Sequence, residues 1–181
     1  MAPRLNRALQ VRTANRLRAS LARDEISDLP AVGSLSDDDE SELREVGGGQ
    51  VGAIVFRVGW VIDAARYPRA IDEIHSLVMR EVAERIDEQV RRTDLLCWLS
   101  EEALVVLAPA LDPASARSMA DRLSAFFAGR ELEVGDLHVQ LRVKVGIATR
   151  SPASAVGWTT RTLADEAQRN TVDVQPPAIV A

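Results

Sequence analysis

From residue 51 onward, the spacing of apolar residues predicts a strand, a long helix and then a hairpin. Residues 51–62 form an almost continuous run of β-forming residues, which is typical of a strand buried on both faces near its middle. Residues 69–92 carry apolar side chains at the 3.6-residue spacing of an amphipathic helix. Two further apolar runs within 93–109 are separated by only three polar residues and predict a pair of strands.

Beyond the hairpin, the pattern predicts a helix, a strand and a last helix. Asp112 is a suitable N-cap and Pro113 a suitable first residue for a helix that Gly129 ends. Strict alternation over 137–149 predicts a strand with one buried face, and 160–170 predicts the last helix. The apolar side of that strand consists of Val139, Leu141, Val143 and Val145, and the polar side of His138, Gln140, Arg142 and Lys144. The order β-α-β-β-α-β-α favours an α+β fold, a split βαβ antiparallel sheet with its helices on one side.

Three other zones flank this domain, which we place at 51–172. Residues 1–28 predict a basic helix, or equally a segment of transit-peptide composition, because residues 1 to 23 contain six arginines and no acidic residue. Residues 29–50 are acidic and contain three consecutive glycines, which is typical of a linker. Residues 173–181 include two adjacent prolines and predict a disordered tail.

Composition and charge narrow the class of protein. The 181 residues are 46% hydrophobic and 27% charged with a formal charge of −5, which suits one globular domain and argues against general nucleic-acid binding. The one cysteine, Cys97, excludes an intramolecular disulfide and a cysteine-rich zinc site. No apolar run approaches the roughly 18 residues of a membrane span. We therefore expect a soluble, cytoplasmic protein.

The turn of the predicted hairpin carries an unusual pair of residues. A tight turn between strands usually contains Gly or Asn, because its central residues often need positive φ, yet Glu101 and Glu102 occupy this one. The surrounding segment RRTDLLCWLSEEALVVLAP resembles the Arg-x-x-Asp motif, strand, GGDEF or GGEEF turn and apolar strand of the GGDEF domain, the diguanylate cyclase fold. VKVGIAT resembles a later strand of that family, and LADEAQRN resembles its closing helix. The resemblance covers roughly residues 50–172 and implies a nucleotidyl-cyclase-like, ferredoxin-like βαββαβ sheet.

The positions that carry catalysis in that family have changed in this chain. The family's turn, Gly-Gly-(Asp/Glu)-Glu-Phe, is replaced by Ser100-Glu101-Glu102-Ala103-Leu104. Arg57 stands where the resemblance places a metal-binding aspartate, and Gly59 stands where a second aspartate would be. Phosphoryl transfer needs metal ions to neutralise charge on the phosphate oxygens. We therefore predict no bound metal and no diguanylate cyclase activity, and we expect Glu102 either to pair with Arg57 across the sheet or to stand in water.

A second site of the family matches more closely. Arg91-Arg92-Thr93-Asp94 matches the Arg-x-x-Asp inhibitory motif, and Arg122 lies where a further arginine commonly assists. The resemblance implies cyclic di-GMP as the ligand. Guanidinium groups can bind phosphate oxygens or the guanine Hoogsteen edge, and a carboxylate can accept from guanine N1 and N2. The same residues also suit a structural role, with arginines at the carboxyl end of a helix and Asp94 capping the following turn.

Two functions therefore stay open. The first is a catalytically inactive GGDEF-like domain that acts in bacterial signalling as a cyclic di-GMP receptor or adaptor and needs no cofactor. The second is a nucleotide-independent scaffold that contacts a protein partner or a second copy of itself through the basic helix. GTP binding without turnover is a third possibility. Contact with a membrane surface is not expected, because the apolar side of the basic helix lacks Trp and Phe.

Overall fold

The protein is seen here as a computed structural model, which describes residues 29–62, 71–127, 131–134, 137–152 and 158–173. The basic helix expected at 1–28 lies outside the described residues, as does the expected tail beyond Asp173. No helix in the described part of the chain is both long and apolar enough to cross a membrane.

Four helices and six strands make up the described part of the chain. The helices are α1 (Asp37–Val46), α2 (Ile71–Gln89), α3 (Pro113–Phe127) and α4 (Thr160–Arg169). The strands are β1 (Val51–Val61), β2 (Leu95–Ser100), β3 (Ala103–Pro109), β4 (Glu131–Val134), β5 (Leu137–Arg150) and β6 (Val172–Asp173). A single 3-10 turn (Val32–Ser34) precedes α1. Every strand and helix predicted after residue 50 is therefore present, with its ends shifted by a few residues at most.

The strands form one antiparallel sheet in the order β2-β3-β1-β5-β4, and β6 pairs with β5. The central strand β1 pairs with β3 over residues 51–57 and with β5 over residues 51–61. This confirms the predicted α+β class and its antiparallel sheet. The sequence pattern did not predict β4 and β6, because runs of four and two residues are too short to show a period.

Helices cover both faces of the sheet, whereas the pattern predicted them on one face only. On the first face, α2 and α3 pack against Ile54 and Phe56 of β1. On the second face, α1 and α4 pack against Val51, Ala53 and Val55. The cause lies in β1 itself, which is buried at every position from its first residue to its sixth and so needs cover on both faces.

Residues 29–50, interpreted above as a linker, are a folded part of the domain. Ser36 caps α1 because its hydroxyl accepts from the backbone N–H of Asp39, while the Asp39 carboxylate accepts from the backbone N–H of Ser36. Four consecutive acidic residues fill the first turn of α1, where they interact favourably with the helix dipole. The acidic run is therefore a helix start.

Both ends of this segment contact the rest of the domain. Glu40 of α1 is buried and accepts hydrogen bonds from the backbone N–H and the hydroxyl of Thr160, at 2.8 and 2.6 Å. The backbone N–H of Trp98 donates to the carbonyl of Pro30 at 2.8 Å, and the neighbouring residue forms a bridge with the outer edge of β2. The segment thus fastens α1 to the amino end of α4 and covers a free sheet edge.

Candidate ligand-binding sites

The hairpin turn between β2 and β3 tolerates two glutamates because it does not need positive φ. Among the described residues other than glycine, only Ala110 has a positive φ, of 56°. The strand register shifts between Trp98 and Ser100, which is the mark of a β-bulge. The bulge lets the chain reverse with Glu101 and Glu102 in ordinary backbone conformations.

Arg57 and Glu102 form the ion pair that the sequence predicted. Arg57 lies opposite Ala103 in the register of β1 with β3, at the end of the paired region. Its Nη2 atom is 3.6 Å from the Oε2 atom of Glu102, and the two side chains are 53% and 62% exposed. Such an exposed pair contributes little to stability. Its main effect is to fix a positive charge beside the hairpin turn.

The residues at this place do not fit a Mg²⁺ ion. Magnesium binds an octahedron of oxygen ligands that includes one or more carboxylates. Glu102 is paired with the cationic Arg57, while Ala103 and Leu104 are buried in the core and Gly59 has no side chain. Among the described residues, no three or more His, Cys, Asp or Glu side chains are grouped closely enough to hold a metal ion.

His75 connects helix α2 to the hairpin turn, a role that the sequence did not reveal. Its Nδ1 atom accepts from the indole N–H of Trp60 at 3.3 Å, and its Nε2 atom lies 2.9 Å from the backbone carbonyl of Glu101. An indole N–H can only donate and a carbonyl can only accept, so this arrangement assigns the acceptor role to Nδ1 and the donor role to Nε2. The three residues are far apart in sequence, and no local pattern could have joined them.

A cleft of about 640 Å³ lies beside the turn, around the end of β1 that extends beyond its pairing with β3. Three cationic residues of β1 and β5 line it: Arg57, Arg142 and Lys144. In the antiparallel register Arg57 lies opposite Lys144, and Gly59 lies opposite Arg142. All three cationic side chains are exposed, as the alternation of β5 predicted for its two. His75 and the two glutamates of the turn also line the cleft.

The Arg-x-x-Asp motif lies at the carboxyl end of α2. Arg122 of α3 donates from Nη2 to the carbonyl of Gln89 at 3.3 Å, which brings it beside the turn that carries Arg91. Both arginines are exposed. Asp94 is only 1% exposed, and its Oδ2 atom accepts from the backbone N–H of Arg91 at 2.9 Å. The structure thus brings Arg91 and Arg122 onto one surface and uses the Asp94 carboxylate to cap the turn.

The two sites are well separated. His75 lies in the first turns of α2, and Arg91 follows its last turn. The intervening helix has a rise of roughly 24 Å at 1.5 Å per residue. A small ligand at one site therefore cannot touch the other.

Comparison with known proteins identifies the family and the fold. Residues 75–172, which are 98 of the 181 residues, match the family described as diguanylate cyclase, GGDEF domain. No curated protein matches the chain.

Three solved structures illustrate the likeness. The GGDEF domain of FimX from Pseudomonas aeruginosa has a TM-score of 0.63 at 12% identity, covering 82% of this chain and 90% of that one. Diguanylate cyclase SiaD of the same organism, solved with its activator SiaC, has a TM-score of 0.62 at 18% identity, covering 82% and 55%. The GGDEF domain of DgcB from Caulobacter crescentus, solved with cyclic di-GMP, has a TM-score of 0.59 at 14% identity, covering 81% and 83%. At these identities the likeness establishes the shared fold alone.

Proposed function

Because this chain belongs to the GGDEF domain family, we propose that it is a non-catalytic member that binds cyclic di-GMP and acts as a receptor or adaptor in bacterial signalling. The binding surface is the carboxyl end of α2, where Arg91 and Arg122 project. The family is one of diguanylate cyclases, and cyclic di-GMP is the compound held by its structural relative DgcB.

The observation that carries the binding proposal is the hydrogen bond from Arg122 to the carbonyl of Gln89 at 3.3 Å. It joins an arginine of α3 to the turn that holds Arg91, so that two exposed guanidinium groups from separate elements share one surface. Cyclic di-GMP offers two phosphates and two guanine Hoogsteen edges, and guanidinium groups bind both kinds of acceptor in bidentate fashion. The ligand and the surface are thus complementary in charge and geometry.

In this proposal Asp94 has a positioning role instead of contacting guanine. Its carboxylate accepts from the Arg91 backbone N–H at 2.9 Å and is buried. Holding that N–H fixes the direction in which the chain leaves α2, and therefore where the Arg91 side chain begins. A preformed turn lowers the ordering cost of binding.

The absence of catalysis is supported by the charge at the first metal position. A guanidinium from Arg57 sits 3.6 Å from the remaining carboxylate, Glu102. A divalent cation placed there would be repelled by Arg57 and would have to break its ion pair with Glu102. Without a metal to neutralise the phosphates, phosphoryl transfer loses its main source of charge stabilisation.

Calorimetric titration with cyclic di-GMP tests the binding proposal. We expect micromolar binding by the unaltered protein and at least about tenfold weaker binding by the Arg91→Ala/Arg122→Ala variant, because charge-assisted hydrogen bonds to the ligand are lost. Arg117→Ala, which removes another exposed arginine of α3, is the matched control and should bind normally. Absence of binding, or binding equal in all three proteins, would contradict the proposal.

Incubation with GTP and Mg²⁺ tests the proposed loss of catalysis. We expect no cyclic di-GMP by chromatography, since the metal site is not formed. Product that disappears in a Glu102→Ala variant would overturn this part of the proposal. If neither binding nor turnover is found, a protein-binding scaffold remains, and SiaD is a structural relative solved with a protein activator.

A further inference from the structure

His75 joins α2 to two other parts of the fold. Strand β1 pairs with β3 as far as Arg57, so its last residues, 58–61, extend past the hairpin and pair with β5. Trp60 lies in this projecting end of β1, and Glu101 lies in the hairpin turn. The Nδ1 atom of His75 accepts from the indole N–H of Trp60 at 3.3 Å, and its Nε2 atom lies 2.9 Å from the Glu101 carbonyl oxygen. One imidazole therefore contacts both the turn and the projecting end.

The turn and the projecting end are also joined directly. The carbonyl of Glu102, which follows Glu101 in the turn, accepts from the backbone N–H of Val58 at 2.9 Å. The rings of Trp60 and His75 lie at a centroid distance of 6.4 Å, which adds a ring contact to their hydrogen bond. His75 is half-buried and lines the cleft beside the turn, so protons from the solvent reach its ring.

The contact with Trp60 depends on the protonation state of the imidazole. An indole N–H can only donate, so it needs a lone pair on Nδ1, whereas an imidazolium carries a proton on both nitrogens. The Nδ1–H of a protonated His75 would face the indole N–H, and two donors cannot share a hydrogen bond. The contact between Nε2–H and the Glu101 carbonyl would instead become charge-assisted. Protonation therefore breaks one contact of His75 and strengthens the other.

Charged groups of both signs surround the imidazole. The charged residues that line the cleft together with His75 are Arg57, Glu101, Glu102, Arg142 and Lys144. On α2 itself, Asp72 and Glu73 stand three and two residues before His75 in the sequence. Negative groups favour an imidazolium and positive groups oppose it. Because both signs are present, the surroundings of His75 exclude neither protonation state.

We propose that His75 is a pH-sensitive latch between α2, the hairpin turn and the projecting end of β1. The neutral imidazole holds both Trp60 and the turn. The protonated imidazole holds the turn alone and releases the indole of Trp60, while the carboxylates of Glu101 and Glu102 in the same cleft are acceptors for the new Nδ1–H. This latch is separate from the proposed cyclic di-GMP surface at the other end of α2 and does not depend on it.

NMR spectroscopy of the full chain over a range of pH tests the proposal. The chain contains two histidines and three tryptophans, so each ring can be followed individually. We expect the indole N–H resonance of Trp60 and the imidazole resonances of His75 to shift together, with one midpoint, between about pH 5 and 8, where histidine ordinarily titrates. Trp60→Phe, which lacks the indole, identifies the tryptophan resonance.

Two substitutions separate His75 from the other titrating groups. His75→Gln should abolish the shift of the Trp60 resonance, because an amide does not titrate. His138→Gln, which removes the exposed histidine of β5, is the matched control and should leave that shift unchanged. A Trp60 resonance that stays constant between about pH 5 and 8, that follows His138, or that still shifts in His75→Gln would show the proposal to be wrong. The titration of the unaltered protein needs no substitution, so it decides the question even where a variant fails to fold.

Discussion

The second face of the sheet divides into two halves along the same two strands. In the covered half, Val51, Ala53 and Val55 of β1 lie opposite Arg150, Ala148 and Gly146 of β5, and α1 and α4 pack on the apolar members. In the open half, the next positions on the same side of the strands are Arg57 and Gly59, opposite Lys144 and Arg142. The backbone pairing continues without interruption from one half to the other, while the side chains change from small and apolar to cationic.

This contrast shows why residues of the open half can change without harm to the fold. Arg57 is more than half exposed and pairs with another exposed residue. Its identity therefore has little influence on packing. The covered half has no such freedom, because its residues touch helix α4 directly. The chemical type of a side chain can therefore vary in the open half, whereas the size of a side chain is constrained in the covered half.

The largest loss of stability is expected from Gly146→Ala, a substitution in the covered half. A Cβ atom there would lie 1.9 Å from the carbonyl oxygen of Ala167 and 2.9 Å from the backbone nitrogen of Thr171, so α4 must move. Overpacking against backbone should lower the free energy of unfolding by about 3 kcal/mol, measured by urea denaturation. Gly59→Ala is the control in the open half and should change it by less than about 0.5 kcal/mol. Equal changes in the free energy of unfolding for the two substitutions would show that packing does not distinguish the two halves.

The next largest loss of stability is expected from a substitution that weakens the attachment of α1 to the covered half. Glu40→Ala removes the acceptor for the backbone N–H and hydroxyl of Thr160 and leaves Arg44 without its carboxylate at 3.1 Å. A buried charged acceptor of this kind should contribute about 2 kcal/mol, again measured by urea denaturation. Glu45→Ala changes an exposed residue of the same helix and should have little effect. A small effect of Glu40→Ala would mean that α1 is held by apolar contacts alone.

Helices and strands could be predicted from the sequence where they are long enough for the spacing of apolar residues to repeat. Helix α2 shows five turns of apolar spacing, and β5 alternates over more than ten residues, so type and buried side followed from sequence. The acidic residues in the first turn of α1 and its capping residue Ser36 are also a local signal for a helix. The adjacent Gly47-Gly48-Gly49, however, indicates a linker. Whether helices cover one face of the sheet or both depends on how segments distant in sequence pack together. No local sequence pattern carries that information.

The candidate sites were predictable in position but not in geometry. The sequence pattern placed Arg57 on the first strand, Glu102 in the hairpin turn and Arg91 at the carboxyl end of the long helix, and the structure agrees. The pattern did not reveal that Asp94 points inward to cap its own turn, or that His75 holds the hairpin. Nor did it show that Arg142 and Lys144 share a cleft with Arg57, because that requires the register of β1 with β5.

A smaller, pH-dependent effect is expected at the border of the covered half. Arg150 of β5 makes two parallel hydrogen bonds to Glu166 of α4, one of them at 3.1 Å. These bonds, together with the attraction of the guanidinium charge, hold the pKa of Glu166 below its ordinary value of 4.5. Glu166→Gln should therefore lower the free energy of unfolding by about 1 kcal/mol at neutral pH, since the pair is partly exposed.

The direction of the pH dependence follows from that lowered pKa. A carboxyl group whose pKa is lower in the folded state stabilises the fold above its unfolded pKa, and this contribution is lost as the pH falls through the folded pKa. The difference between the unaltered protein and Glu166→Gln should therefore be full at neutral pH and shrink below pH 4.5. Asp165→Asn, in a surface pair with Arg161 one turn away, serves as the control and should show a smaller difference. A difference that grows on acidification would contradict this account.

The smallest effect on stability is expected from Glu102→Gln in the open half. The ion pair with Arg57 spans 3.6 Å between two exposed side chains, so its loss should change the free energy of unfolding by less than about 0.5 kcal/mol. We therefore expect the urea denaturation curves of the unaltered protein and of Glu102→Gln to coincide within error. A loss of about 1 kcal/mol or more would mean that this pair helps to hold the hairpin on β1, and the identity of the residues in the open half would then be constrained as it is in the covered half.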